Sequence, residues 1–251
     1  QAISCVWVIR FLCGKKTQLH IRINHLRLKA ATILPCIFLG LAAFIMQASE
    51  SVIAVCFNSS LLRYGGDIAV GAMTILTSVM QFAMMPLQGL GQGAQPIMSY
   101  NYGAENRNRV KETYYLLLKS SLIYSSILWL CIMLFPQIFA SLFTSDTALL
   151  SFTKTALRIY LASLFLFGIQ IACQMAFTSL GNAKASILVA VTRKFILLLP
   201  LIYLMPHIYT DNQSIAVYMA EPIADAIAVT FTAILFFFQF RKAMASIPDK
   251  D

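Results

Sequence analysis

The sequence contains no charged residue between Asp67 and Glu105, a stretch longer than the roughly 20 residues that a helix needs to cross a bilayer. Other apolar blocks of similar length, each with few charges, lie on both sides of it. Hydrophobic residues make up 59% of the chain and charged residues 12%, about half the charged fraction of average soluble proteins. This pattern predicts an all-α integral membrane protein and excludes an ordinary soluble domain.

Six of these blocks are predicted to be membrane-spanning helices. Breaks between them include Gly65 and Gly66, which accept the positive φ angles of a turn, Pro136, and the pair Gly181 and Asn182. The predicted spans cover about residues 31–62, 68–100, 110–135, 149–180, 183–209 and 215–240.

The ends of the chain complete the predicted domain organisation. Residues 1–13 are apolar but too short to span a bilayer, so we interpret them as the end of a truncated transmembrane helix. Residues 14–30 form a basic linker, residues 31–242 a six-helix unit, and residues 243–251 a tail. We therefore expect the sequence to be a fragment of a longer protein.

Basic residues, which give the chain a net charge of +9, lie mostly between the apolar blocks. Because such residues favour the cytoplasmic side of membrane proteins, both ends of the six-helix unit are predicted to be cytoplasmic. The basic residues assigned to that side beyond the linker are Arg107, Arg109, Lys111, Lys184, Arg241, Lys242 and Lys250. This distribution explains the positive charge without nucleic acid, which we do not expect as a partner.

Ionisable residues inside the predicted spans are candidates for function, because a charge within a bilayer is costly. Glu50 lies near the middle of the first span, with Gln47 one turn before it on the same helix face. Its carboxylate either exchanges a proton or cation or bonds structurally to a neighbouring helix. Glu221 and Asp225, at positions i and i+4 of the sixth span, share one face; they are either solvated at the outer interface or functional.

Two adjacent cations, Arg193 and Lys194, lie about 15 Å along the fifth span if its helix starts near Asn182. We expect them to mark the inner membrane surface, which leaves a short span beyond them. A position inside a central cavity is the alternative.

The second half of the second span is too polar and too rich in glycine for a helix that faces lipid. Gly89 and Gly93 have the GxxxG spacing that lets another helix approach closely, and Pro86 and Pro96 are expected to bend the helix. Either close helix packing or a pathway lined by uncharged hydrogen-bonding groups explains this composition. The residues that would line such a pathway are Gln88, Gln92 and Gln95.

No arrangement of residues typical of catalysis appears in the sequence. It lacks a GxxxxGK phosphate-binding loop, an HExxH motif and a CxxC pair, and its six cysteines are scattered. We therefore predict neither an enzyme nor a metal site, and no cofactor.

Several short motifs follow one another in a specific order over most of residues 31–242. The most specific is Gln95-Pro96 followed by Asn101-Tyr102-Gly103-Ala104. The other pieces are Asn58…Leu61…Tyr64-Gly65-Gly66, Pro86…Gly89…Gln92-Gly93, Arg109-Val110, Phe177…Leu180-Gly181-Asn182-Ala183 and Glu221-Pro222…Asp225. In these motifs the chain resembles the C-terminal half of a multidrug and toxic-compound extrusion (MATE) transporter.

The resemblance implies twelve membrane helices in two six-helix lobes around a central cavity. This chain would supply helices seven to twelve and the end of helix six, with residues 14–30 as the linker between the lobes. It also implies the export of amphipathic, often cationic drugs in exchange for Na⁺ or H⁺ across a bacterial inner membrane. The expected partners are the lipid bilayer, such drugs and an N-terminal six-helix lobe.

Candidate site residues follow from the same resemblance together with the positions of the ionisable groups. Glu50 and Asp225 are assigned to cation coupling. The residues assigned to the substrate cavity are Gln47, Met84, Gln88, Gln92, Gln170 and Gln174. Some members carry an acid on helix ten where this sequence has Ile169, so the chain departs from the family there.

Two other functions remain open at this point. A lipid-linked oligosaccharide flippase has a similar helix count but would need a strongly basic cavity, whereas these spans contain few cations. A non-transporting membrane scaffold would make Glu50 a structural residue.

Overall fold

The computed structural model describes residues 2–12 and 30–245, apart from the side chains of 183, 184 and most of 30–47. The chain divides into two compact units, Gln1–Glu50 and Ser51–Asp251. The described residues are almost entirely helical and form no strand. Most of the predicted linker, and residues 246–251 of the predicted tail, lie outside the described residues.

The first unit contains helix α1 (Ala2–Leu12) and the start of helix α2. The 11 residues of α1 extend about 16 Å, little more than half of the hydrocarbon thickness of a bilayer. None of its side chains is buried. The described segment is shorter than one membrane crossing, and its assignment to the end of a truncated transmembrane helix stays a prediction.

Helix α2 (Ala30–Gly103) consists of two helices joined at a kink. Gly66, at the kink, has φ 63° and ψ −161°, a conformation outside the helical region that a residue without Cβ adopts at little cost. A crossing takes about 20 residues, so the 74 residues of α2 account for the first two predicted spans. The break expected at Gly65-Gly66 is confirmed.

The helices that follow belong to the second unit. They are α3 (Arg107–Leu134), α4 (Pro136–Ser141), α5 (Thr147–Tyr160), α6 (Phe167–Ser179), α7 (Ala183–Val191), α8 (Leu199–Ile208) and α9 (Gln213–Ala245). A π-helical segment, Thr192–Leu198, joins α7 to α8.

Length and composition identify the described segments that can cross a membrane. Four single helices qualify: Ala48–Gly103, Arg107–Leu134, Ala185–Ile208 and Gln213–Ala245. The bent pair of α5 and Leu164–Ser179 is together long and apolar enough to count as a fifth crossing. Because α2 is itself divided at Gly66, the result is the six-helix membrane architecture that the sequence predicted.

The fourth predicted span, residues 149–180, is not one straight helix. α5 and α6 meet at an angle of 42°, with a short 3₁₀ turn, Leu164–Leu166, between them. Two carbonyl groups at the bend accept hydrogen bonds from α3: Trp129 Nε1 donates to Ala162 O at 2.9 Å, and Ser125 Oγ donates to Phe165 O at 3.0 Å. The bend is stable in an apolar environment because these freed carbonyls find partners on another helix.

The core of the second unit joins α9 to the second half of α2 and to α5. Tyr218 is completely buried, and its hydroxyl donates to Ala69 O at 2.6 Å. Its ring lies edge-on to Tyr160, with the centroids 6.4 Å apart. Large apolar side chains such as Ile127 and Phe238 remain exposed, as expected for the lipid-facing surface of a membrane bundle.

Candidate functional site

A buried cluster of three charged side chains lies within the second unit. Arg193 Nε donates to Asp225 Oδ1 at 2.6 Å, and its Nη2 donates to Glu221 Oε1 at 3.2 Å. The side chains of Asp225, Glu221 and Arg193 are 2%, 9% and 21% exposed, respectively. We call these three residues the ionic cluster.

Local structure explains why the three groups converge. Glu221 and Asp225 lie one helical turn apart on α9, so both carboxylates project from one face, as predicted from their spacing. Arg193 lies in the π-helical segment, a type of helix that often occurs at functional sites.

The bend between α5 and α6 supplies the remaining contacts of the cluster. Ser163, at the start of the bend, donates its hydroxyl to Asp225 Oδ2 at 3.1 Å. The guanidinium carbon of Arg193 lies 5.1 Å from the ring centroid of Phe167, a cation–π contact. Each oxygen of Asp225 therefore has its own donor, and Arg193 is held between two acids and an aromatic ring.

The cluster lies along helices long enough to cross a membrane and away from their first turns. Arg193 is about 15 Å from the start of α7, while Glu221 and Asp225 are about 12 and 18 Å from the start of α9. The solvated alternative for Glu221 is wrong, because its side chain is 9% exposed and is paired with Arg193 inside the bundle. The expectation that Arg193 marks the inner membrane surface stays a prediction.

The charges of the cluster do not balance within the three residues. One guanidinium contacts two carboxylates, and Lys194 lies close enough to Glu221 to attract it electrostatically. If a proton or a monovalent cation occupied one carboxylate, Arg193 would still be paired with the other. The site can therefore change its charge by one without leaving Arg193 unpaired.

The other predicted coupling residue, Glu50, is placed differently. It lies on α2, at the end of the first unit, and its side chain is exposed. The side chain of Gln47 lies outside the described residues. The coupling role of Glu50 stays a prediction.

Two of the predicted cavity residues lie on an exposed face of α2. Gln88 and Gln92 are exposed, and a Cβ added to Gly89 or Gly93 would have no described atom within 4 Å. Met84, one turn before Gln88, is half-buried. We call residues 84–93 on this side of α2 the glutamine–glycine face.

Close packing occurs at a different glycine from the two in the predicted GxxxG pair. A Cβ on Gly91 would lie 2.6 Å from Met175 Cγ and 3.3 Å from Ile171 Cγ2, both on α6. Within the described residues, Gly91 therefore has the packing role that the sequence suggested for Gly89 and Gly93.

The two glutamines predicted on α6 have different environments. Gln170 is 5% exposed, and its Oε1 has no hydrogen-bond partner among the described residues, whereas Gln174 is half-buried. Gln170 therefore does not line an open cavity in this structure, although a buried amide without a partner carries a desolvation penalty.

Sequence reasoning missed the pairing of Arg193 with the acids, and it missed Ser163 altogether. A signal for the pairing was present: the fifth and sixth spans carry opposite charges at similar depths along their helices. No comparable signal marks Ser163, because its position depends on a bend stabilised by α3.

Comparison with known proteins supports the resemblance. The MatE family profile matches residues 42–204. The multidrug export protein MepA of Staphylococcus haemolyticus is 21% identical over 208 residues, which cover 83% of this chain and 45% of that protein. The MepA protein of Staphylococcus aureus is 23% identical over 171 residues, covering 68% of this chain and 37% of the relative.

Solved structures share the fold over nearly the whole chain. The MATE multidrug transporter DinF-BH is 34% identical with a TM-score of 0.79, covering 97% of this chain and 54% of that one. A MOP superfamily transporter from Pyrococcus furiosus, 19% identical, has a TM-score of 0.81 over 96% of this chain and 54% of its own. The chain thus spans about half the length of these transporters. It belongs to the MatE family.

Proposed function

We propose that this chain is the C-terminal lobe of a secondary active multidrug exporter that exchanges amphipathic or cationic drugs for H⁺ or Na⁺ by alternating access. Membership of the MatE family supports the transporter class, and the named relatives are multidrug exporters. In this proposal a second six-helix lobe completes the cavity, and the protein lies in a bacterial inner membrane with both ends of this lobe in the cytoplasm.

The observation that carries the coupling mechanism is the ionic cluster. Ionisable groups inside a membrane are rare and usually functional, and this cluster has two acids for one arginine. We assign the coupling ion to Asp225, with Glu221 as its partner acid. When the ion binds, Arg193 remains paired with Glu221; when it leaves, Arg193 holds both carboxylates.

In this proposal, the alternating-access motion depends on the structural elements that carry the ionic cluster. Asp225 is on α9, Arg193 on the π-helical segment, and Ser163 on the bend between α5 and α6. A change in the charge of Asp225 weakens or strengthens contacts among all three elements at once. A bent helix and a π-helical segment are places where a membrane helix can change its geometry without leaving backbone groups unsatisfied.

The glutamine–glycine face supports a substrate wall. Its glutamines offer hydrogen bonds without charge, and Met84 offers an adaptable apolar surface. An uncharged wall suits amphipathic cations better than the anionic substrate of a lipid-linked oligosaccharide flippase, for which a basic cavity is expected. Gln174 extends the proposed wall to α6, and Glu50 with Gln47 provides a second proposed ion site.

The test uses the full-length protein that contains this chain, expressed in drug-sensitive cells. Efflux of a fluorescent cationic dye is compared for wild type, Asp225→Asn and Glu50→Gln at equal protein levels in the membrane. We expect Asp225→Asn to reduce efflux to that of cells without the transporter, because asparagine keeps a hydrogen-bond acceptor but cannot exchange a proton. Glu112→Gln is the matched control, since Glu112 is an exposed carboxylate paired with Arg109.

The outcomes separate the proposals. Undiminished efflux in Asp225→Asn would remove this residue from coupling, and the same result in Glu50→Gln would remove the second site. If the wild-type protein exports none of a panel of cationic dyes and drugs, the flippase and scaffold alternatives take precedence.

A further inference from the structure

A second feature of the lobe is a groove between α3, α6 and α9 that the transport proposal does not use. Its volume is about 470 Å³. It extends along α3 from Arg107 to Leu122, which is about 22 Å of helix. That length exceeds the hydrocarbon depth of one leaflet, about 15 Å, and leaves room for a headgroup at the end.

The floor of the groove is aromatic and already packed. Tyr114 lies 4.7 Å from Phe236 and 5.0 Å from Phe240, measured between ring centroids, and the two phenylalanines are 4.9 Å apart. Tyr115 and Phe237, which also line the groove, are each 61% exposed. The groove is therefore an apolar channel with a packed aromatic floor and exposed side walls.

Positive charge is concentrated at one end of this channel. Arg107 and Lys111 at the start of α3 and Arg241 near the end of α9 all line it. None of the described residues that line it is acidic. Glu112, the acid nearest in sequence, is 3.6 Å from Arg109 and is not part of the lining.

We propose that this groove binds one anionic phospholipid, with the phosphate among Arg107, Lys111 and Arg241 and an acyl chain along the aromatic floor. Charge complementarity and the length of the groove carry the inference. The basic end is the side predicted to be cytoplasmic, where basic pockets between membrane helices bind anionic headgroups. The proposal is independent of the ionic cluster, none of whose residues lines the groove.

The occupant is a lipid rather than a soluble anion because two kinds of surface coincide. A free phosphate would use only the three cations and leave the aromatic channel empty. A zwitterionic lipid would use the channel, but its headgroup cation would be repelled by the three basic residues. An anionic phospholipid satisfies both, and the exposed side walls let it enter laterally from the bilayer.

The test uses the purified full-length protein in detergent, with dioleoyl phosphatidylglycerol as the probe and dioleoyl phosphatidylcholine as the neutral comparison. Binding is measured by native mass spectrometry and by the rise in melting temperature. We expect phosphatidylglycerol to bind and stabilise, and phosphatidylcholine to do so much less. Inorganic phosphate and glycerol phosphate at the same concentration should give no comparable stabilisation.

Substitutions of the basic residues test whether phosphatidylglycerol binds in this groove. Each basic residue near a headgroup contributes about fivefold in affinity, so Lys111→Gln with Arg241→Gln should weaken phosphatidylglycerol binding by about 25-fold. Lys242→Gln is the matched control, because Lys242 is a neighbouring exposed cation outside the groove lining. Dye efflux of the double variant serves as the check that the protein is folded.

Three results would overturn the proposal. One is equal binding of the two lipids, and another is a double variant that binds phosphatidylglycerol as well as the Lys242→Gln control. The third is efficient disulfide crosslinking between a cysteine introduced at Tyr115 and the other lobe, because it would show that protein rather than lipid covers the groove.

Discussion

The replacement Arg193→Gln should destabilise the lobe severely, because it leaves two desolvated carboxylates without their cation. Arg193 contacts Asp225 at 2.6 Å and Glu221 at 3.2 Å, and both acid side chains are less than 10% exposed. Removing one partner of a buried ion pair costs about 3–5 kcal/mol in the free energy of unfolding. For a unit of this size, that loss corresponds to a fall in melting temperature on the order of 10 °C.

Thermal unfolding of the purified full-length protein in detergent measures this effect. Arg109→Gln is the matched control, since Arg109 forms an exposed pair with Glu112 whose side chains are 66% and 70% exposed. Exposed pairs of this kind contribute about 0–1 kcal/mol, so the control should melt within a few degrees of wild type.

A variant that lacks all three charges distinguishes an effect on stability from an effect on transport. Arg193→Met combined with Glu221→Met and Asp225→Leu replaces all three charges by apolar side chains of similar volume, and such replacements are often neutral or stabilising by about 1–4 kcal/mol. We expect this triple variant to recover the melting temperature and to remain inactive in dye efflux. If Arg193→Gln melts like wild type, the carboxylates are not desolvated as the structure indicates. If the triple variant exports dye normally, the cluster is only structural.

Two further predictions concern packing and the bend. Gly168→Ala should lower the free energy of unfolding by about 1–3 kcal/mol, because the added Cβ would lie 2.7 Å from the backbone oxygen of Ser121; Gly89→Ala, in open space, should leave it unchanged or raise it slightly. Equal melting temperatures of these two variants would contradict the close α3–α6 contact. Trp129→Phe should cost about 1–3 kcal/mol, because the carbonyl of Ala162 loses its donor in an apolar environment. A Trp129→Phe protein as stable as wild type would show that this carbonyl finds another donor.

Local features were predictable because each depends on a short stretch of sequence. Long apolar blocks predicted the membrane helices, and Gly65-Gly66 predicted the kink that Gly66 forms with φ 63°. The i, i+4 spacing of Glu221 and Asp225 predicted a shared face, since helical periodicity places such residues together whatever surrounds them. Motif order over residues 31–242 also predicted the family, which the profile match confirmed.

The tertiary structure alone decided which of the local alternatives applies. Arg193 is a buried partner of Glu221 and Asp225, because the π-helical segment packs against α9. Gly91 rather than Gly89 is the packing glycine, because α6 approaches that side of α2. Ser163 contacts Asp225 only because Trp129 and Ser125 stabilise the bend between α5 and α6. The sequence of the bent helix does not predict this bend. Each of these outcomes depends on contacts between helices far apart in the chain, which local pattern does not encode.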